Sequence, residues 1–128
     1  MRYLLDTCTF LWLAQQPAMI SAVAAAAMND AGNELFVSDV SLWEITLKHA
    51  AGKLPLPRAP RKWLPAKLAR HQVMPLPLER NAIFRSGELP MKHADPFDRL
   101  LAAQAIEAEL TILSPDVPLS LLGAARLW

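Results

Sequence analysis

Arg2-Tyr3-Leu4-Leu5-Asp6-Thr7-Cys8-Thr9-Phe10-Leu11-Trp12-Leu13 is the stretch that decides the fold class. Arg2 to Leu5 is a short apolar run that ends abruptly on an acid, the pattern of a buried strand closing at Asp6. Thr7 or Cys8 then opens a helix through Phe10, Leu11, Trp12 and Leu13. The same hand-over recurs. Leu35 to Ser38 reads as a second strand, and Ser41 can cap a helix over Leu42 to Ala51, closed by Gly52. Asp95-Pro96 starts a helix running to about Glu109, with Phe97, Leu101, Ala105 and Ile106 on one face, and Leu110 to Leu113 reads as the strand after it. Strands alternating with helices predict an α/β protein with a mostly parallel sheet covered by helices.

The intervening chain is consistent with that plan. Ser21 caps a predicted helix over Ala22 to Met28, and Asn29 to Asn33 carries a turn signal. Leu54-Pro55-Leu56-Pro57 and Pro60 form a stiff connector with too little chain on either side to be a domain boundary. A helix follows from about Arg61 to Arg70, with Pro65 in its first turns or kinking it. Pro75 and Pro77 confine a strand over Val73 to Leu76 to a sheet edge, and Leu78 to Gly87 reads as helix.

The chain of 128 residues is 53% hydrophobic, which excludes a disordered polymer and predicts one domain over residues 1–128. No apolar run approaches the roughly 18 residues of a membrane span, and no signal peptide is apparent. The single cysteine, Cys8, can form no internal disulfide, so a cytoplasmic location is expected. The net charge of +1 hides an uneven distribution. Ile45 to Leu78 contains Lys48, Lys53, Arg58, Arg61, Lys62, Lys67 and Arg70 and no acid. Such a belt suits a polyanion or an acidic partner, and it equally suits ordinary solvated helix faces.

The acids carry the chemistry. Asp6 ends the first strand, Glu44 and Asp98 sit in the first turns of predicted helices, and Asp116 follows the last clear strand. In parallel α/β folds those positions share one sheet edge, where ligands bind. Each acid also has a structural reading: Asp6 and Asp95 as helix caps, Glu44 as a complement to the helix dipole, Asp116 as part of a turn. Jointly they repel. At an effective dielectric of ~20, two unit charges 4 Å apart cost about 4 kcal/mol. Raised pKa values or a bound cation relieve this, and hard oxygen ligands favour Mg²⁺ or Mn²⁺. Carboxylate-held Mg²⁺ meets substrate phosphates, which points to phosphoryl chemistry. His49, His71 and His93 read as surface or capping residues, and Trp12, Trp43 and Trp63 as core or interface.

Tyr3-Leu4-Leu5-Asp6-Thr7, Val37-Ser38, Ser41-Leu42-Trp43-Glu44-Ile45, Gly52-Lys53-Leu54 and Asp95-Pro96-Phe97-Asp98-Arg99 occur in that order. This series resembles a PIN domain, and within that family the VapC-type toxins of type II toxin–antitoxin pairs. The resemblance implies a three-layer α/β/α fold around four or five strands and a Mg²⁺- or Mn²⁺-dependent endoribonuclease. It also implies a homodimer and inhibition by a cognate VapB-type antitoxin. It puts the family's acids on Asp6, Glu44, Asp98 and, more variably, Asp116, with Asp95 as an assisting extra acid. Thr7 and Ser38 fall where small hydroxyls line the metal site. Cys8 stands where such sequences often carry His, and Ser114-Pro115-Asp116 where a Thr-Arg-Asp-like run is common.

The expected mechanism is metal-assisted attack of water on an RNA phosphodiester. Asp98 or Asp116 would orient the water, and Lys48 and Lys53 would hold flanking phosphates. Two other readings share these residues: a binding module that uses the acids only as caps, and a nuclease acting on DNA.

Overall fold

The computed structural model describes residues 1–90 and 95–128. Five strands, β1 (Arg2–Leu5), β2 (Glu34–Ser38), β3 (Val73–Leu76), β4 (Thr111–Leu113) and β5 (Arg126–Leu127), form one sheet in the order β3-β2-β1-β4-β5. Every pairing is parallel. The helices are α1 (Thr7–Gln15), α2 (Ala22–Asn29), α3 (Asp39–Ala50), α4 (Pro60–His71), α5 (Arg80–Glu88), α6 (Pro96–Ala108) and α7 (Pro118–Leu121). A short 3₁₀ turn spans Pro17–Met19.

Alternation along the strands builds the layers. Leu4, Phe36 and Ile112 face one way, into a core closed by Ala82 of α5, Leu101, Ala102 and Ala105 of α6, and Leu119 of α7. Tyr3, Leu5, Leu35, Val37 and Leu113 face the other way, against Phe10 of α1, Ala27 of α2, Ile45 of α3 and Trp63 and Leu64 of α4. Helices therefore cover both faces, giving the three-layer α/β/α arrangement expected from the sequence. Leu4, Leu5, Ile112 and Leu113 are fully buried. Each such side chain is worth about 1.5–3 kcal/mol of transfer free energy. Among the described residues no helix is long and apolar enough to cross a membrane.

The structure places β3 at the sheet edge, as its prolines require. Elsewhere several boundaries move. The helix carrying Glu44 begins at Asp39, so its cap is Ser38, whose Oγ accepts from the Val40 N–H at 2.9 Å. Ser41, expected as the cap, is instead buried inside the helix. The helix following Pro77 starts at Arg80 rather than Leu78. Pro65 lies inside α4, at its sixth residue. β5 and α7 were not anticipated, because strands of two residues and single helical turns leave no periodic signal. Gly52 has φ +73, which confirms it as the left-handed residue after α3.

Candidate active site

Since all strands run parallel, their carboxyl ends open on one edge. Asp6 stands at the end of the central strand and caps α1, its Oδ1 accepting from the Thr9 N–H at 2.7 Å. Its Oδ2 accepts from the Ser114 hydroxyl. The Ser114 Oγ in turn accepts from the Asp116 N–H at 2.9 Å. Asp6 is only 7% exposed. Burial pushes its carboxyl above the ordinary range, the Ser114 and Thr9 hydrogen bonds pull it back in part, and the Asp116 charge raises it further.

Glu44 lies in the second turn of α3 rather than the first, since the helix starts three residues earlier than the sequence suggests. The first-turn dipole therefore does not account for it. Thr7 Oγ1 donates to Glu44 Oε1 at 2.7 Å, and Lys48 Nζ to Glu44 Oε2 at 2.8 Å. Asp98 is in the first turn of α6, as expected. Asp95 caps that helix by accepting from the Phe97 N–H at 2.9 Å and is exposed.

Asp6, Thr7, Glu44, Lys48, Asp98 and Asp116 all line one cleft of about 600 Å³. Four acids from four separate segments thus meet in one depression, with Trp12, Leu54 and Pro55 on its walls. Cys8 also lines it. Its thiol is pushed up to about 11, first by burial and then by the charge of Asp6, with Lys48 acting the other way. Ser38 does not line the cleft. Its hydroxyl is fully buried, bonded to Val40 and donating to Gln104 Oε1 of α6. Lys53 stands on the exposed turn after α3, outside the lining.

The donor set suits a hard divalent cation. The cleft offers carboxylate oxygens, its one sulfur remains a thiol at neutral pH, and no His lines it among the described residues. As the side chains stand, no three acid, His or Cys groups among the described residues close on a single point. The reason is visible in the bonds above: Asp6 is held by Thr9 and Ser114, and Glu44 by Thr7 and Lys48.

Of the other residues singled out in the sequence, His49 Nδ1 lies 3.0 Å from the Leu54 carbonyl and so fixes the turn after α3. Burial, with Arg70 and Lys67 nearby, lowers the pKa of His71. His93 lies outside the described residues. Trp63 is core, whereas Trp43 is 55% exposed and packs against Phe97 with ring centroids 5.4 Å apart. Trp12 packs on Trp128 at 5.8 Å.

Two contributors escaped the sequence reading. Ser114, taken there as part of an ordinary turn, is fully buried and links Asp6 to the Asp116 turn. A serine between a buried strand and Pro-Asp was the available signal. Arg99 is buried, and its guanidinium donates to the carbonyls of Pro90 at 2.9 Å, Ser86 at 2.7 Å and Leu89 at 3.1 Å. It thereby anchors the start of α6 beside Asp98. A charged side chain next to an acid gave no hint of burial.

Residues 3–120 match the model of the PIN domain family. The chain belongs to the PIN domain family. Solved structures similar to this PIN domain include VapBC2 from Rickettsia felis bound to a DNA fragment from their promoter, with a TM-score of 0.73 at 16% identity, covering 99% of this chain and 98% of that one. DNA-bound VapBC from Salmonella typhimurium follows at 0.70 and 16%, covering 99% and 97%. VapBC-5 from Mycobacterium tuberculosis, described as a member of the VapBC family of toxin-antitoxin systems, gives 0.62 and 19%, covering 98% and 95%. These likenesses establish a shared fold. No curated protein matches this PIN domain's sequence.

Proposed function

We propose that this PIN domain is a Mg²⁺- or Mn²⁺-dependent endoribonuclease, the toxin of a type II toxin–antitoxin pair. The observation that carries the reading is the meeting of Asp6, Glu44, Asp98 and Asp116 in one cleft. Helix caps alone do not require four acids lining one cleft. The similarity to VapBC structures supports the toxin assignment and a VapB-type antitoxin as partner; a homodimeric assembly is part of the same proposal.

Asp6, Glu44 and Asp98 would hold the ion through carboxylate oxygens, with Asp116 completing the set and Asp95 adding negative charge nearby. The bound ion supplies a Lewis acid that acidifies water and offsets charge on the scissile phosphate. Asp98 or Asp116 accepts the proton of the attacking water. The water oxygen would form a new bond to phosphorus as the bond to the 3′ oxygen breaks, and the departing oxygen would take a proton from solvent, leaving a 5′-phosphate and a 3′-hydroxyl. Thr7 orients Glu44 through its 2.7 Å hydrogen bond. Lys48 at the cleft, and Lys53 beyond it, would hold flanking phosphates, making binding salt-dependent. Ser38 acts indirectly by joining α3 to α6.

Incubation of the purified protein with total RNA and Mg²⁺, with Asp98→Asn as control, tests the proposal. Discrete fragments from the natural protein and none from the variant are expected. Equal cleavage by both, or cleavage of DNA strands in preference to RNA, would refute it.

A further inference from the structure

Both carboxylate oxygens of Glu44 already accept a hydrogen bond. Thr7 Oγ1 donates to Oε1 at 2.7 Å and Lys48 Nζ to Oε2 at 2.8 Å. Lys48 sits one helical turn after Glu44 on α3, the favourable order for such a pair. Its side chain is half exposed, which gives it room to move away from Glu44. Lys48 and the acids line the same cleft. Among the described residues lining the cleft, the lysine is therefore the cation that the carboxylate cluster carries.

Resting on the metal-dependent reading above, we propose that Lys48 is a built-in counter-cation that a divalent ion must displace from Glu44, so that it sets the metal concentration the site requires. A metal ion and an ammonium compete for one oxygen and repel each other across the cleft. Once displaced, the ammonium remains on the cleft wall with its charge available to a substrate phosphate. Lys48 then opposes metal binding and assists substrate binding. A purely structural lysine would not act in opposite directions on the two.

The test is calorimetric titration of the full chain with Mn²⁺, comparing natural protein, Lys48→Met and Arg80→Gln. Arg80 is exposed on α5 and lines a different cavity, so its replacement reproduces the charge change away from the cleft. Lys48→Met is expected to bind Mn²⁺ about three- to tenfold more tightly, from the lost ion pair and lost repulsion. Arg80→Gln should stay within about twofold of the natural protein, since distant exposed charges are screened. Cleavage assays give the second readout. In Lys48→Met the Mn²⁺ concentration for half-maximal rate should fall while KM for RNA rises. Unchanged or weaker Mn²⁺ binding by Lys48→Met, with the natural protein binding normally, overturns the inference and leaves the metal reading intact. Failure of every form to bind Mn²⁺ removes both.

Discussion

The hydroxyl of Ser114 donates to the buried Oδ2 of Asp6, joining two residues 108 positions apart at the carboxyl ends of adjacent strands. The Ser114 Oγ itself receives the Asp116 N–H. One small side chain thus sets both the orientation of the central acid and the path of the segment bearing the fourth.

Ser114→Ala removes a donor that favours the ionised carboxyl and leaves Asp6 more strongly shifted upward. The acidic limb of the pH–rate profile should therefore move to higher pH. Stability should fall by about 1–2 kcal/mol in urea denaturation, the cost of an unsatisfied buried partner. A profile that stays in place would show that Asp6 does not govern that limb.

Asp6→Asn should abolish divalent-metal binding and yet stabilise the metal-free protein. The folded Asp6 carboxyl titrates above its ordinary value of 3.8 because it is buried. Between those two values the folded state keeps a proton that the unfolded chain has released. The metal-free protein thus loses stability as pH rises through that window, and the loss persists above it. Asparagine caps a helix as well as aspartate and carries no charge to bury. A higher Tm at pH 7 in metal-free buffer is expected, the relief of the buried charge outweighing the altered contact with Ser114. A lower Tm than the natural protein in metal-free buffer would contradict this.

Cys8 should be a poor nucleophile despite its exposure. With its thiol pushed up to about 11, only roughly one molecule in a thousand is ionised at pH 8. Alkylation by iodoacetamide should be slow at that pH and climb steadily towards pH 11. Saturating Mg²⁺ should accelerate it, because a nearby divalent charge favours the thiolate. Rapid metal-free labelling at pH 7 would exclude this electrostatic description of the cleft.

Arg99→Met strips donors from the carbonyls of Ser86, Leu89 and Pro90 together. A loss of about 3 kcal/mol is expected in chemical denaturation. Arg99→Lys should recover little of it, since a single ammonium cannot reproduce a planar fork. Full stability in the lysine variant would indicate that charge alone matters there.

The strands and acids were legible because both are strong local signals. An apolar run cut off by Asp6, and Asp95-Pro96 opening a helix, state their roles within a few residues. The α3 boundary was not, because Ser38 and Ser41 are equally good caps in isolation. Ser38 prevails because its hydroxyl also reaches Gln104, 66 residues away. Trp43 was expected in a core or interface by its place in a helix, but its exposure depends on which face α3 turns to the sheet. Ser114 was hidden because its partner is a carboxylate 108 residues away, and Arg99 because the groups it binds are backbone carbonyls, which leave no mark in the residue types.

The central position of β1 bears on when the cleft can be completed during synthesis. That strand is synthesised first, yet one of its two neighbours, β4, is made more than a hundred residues later. Long-range pairing of this kind is completed late, and parallel strands cannot settle early as a hairpin does. Until the ribosome has released residue 116, Asp6 has neither Ser114 to hold it nor Asp116 beside it. A still-growing chain therefore lacks the complete set of cleft acids, and the order of the strands makes that set one of the last features to assemble.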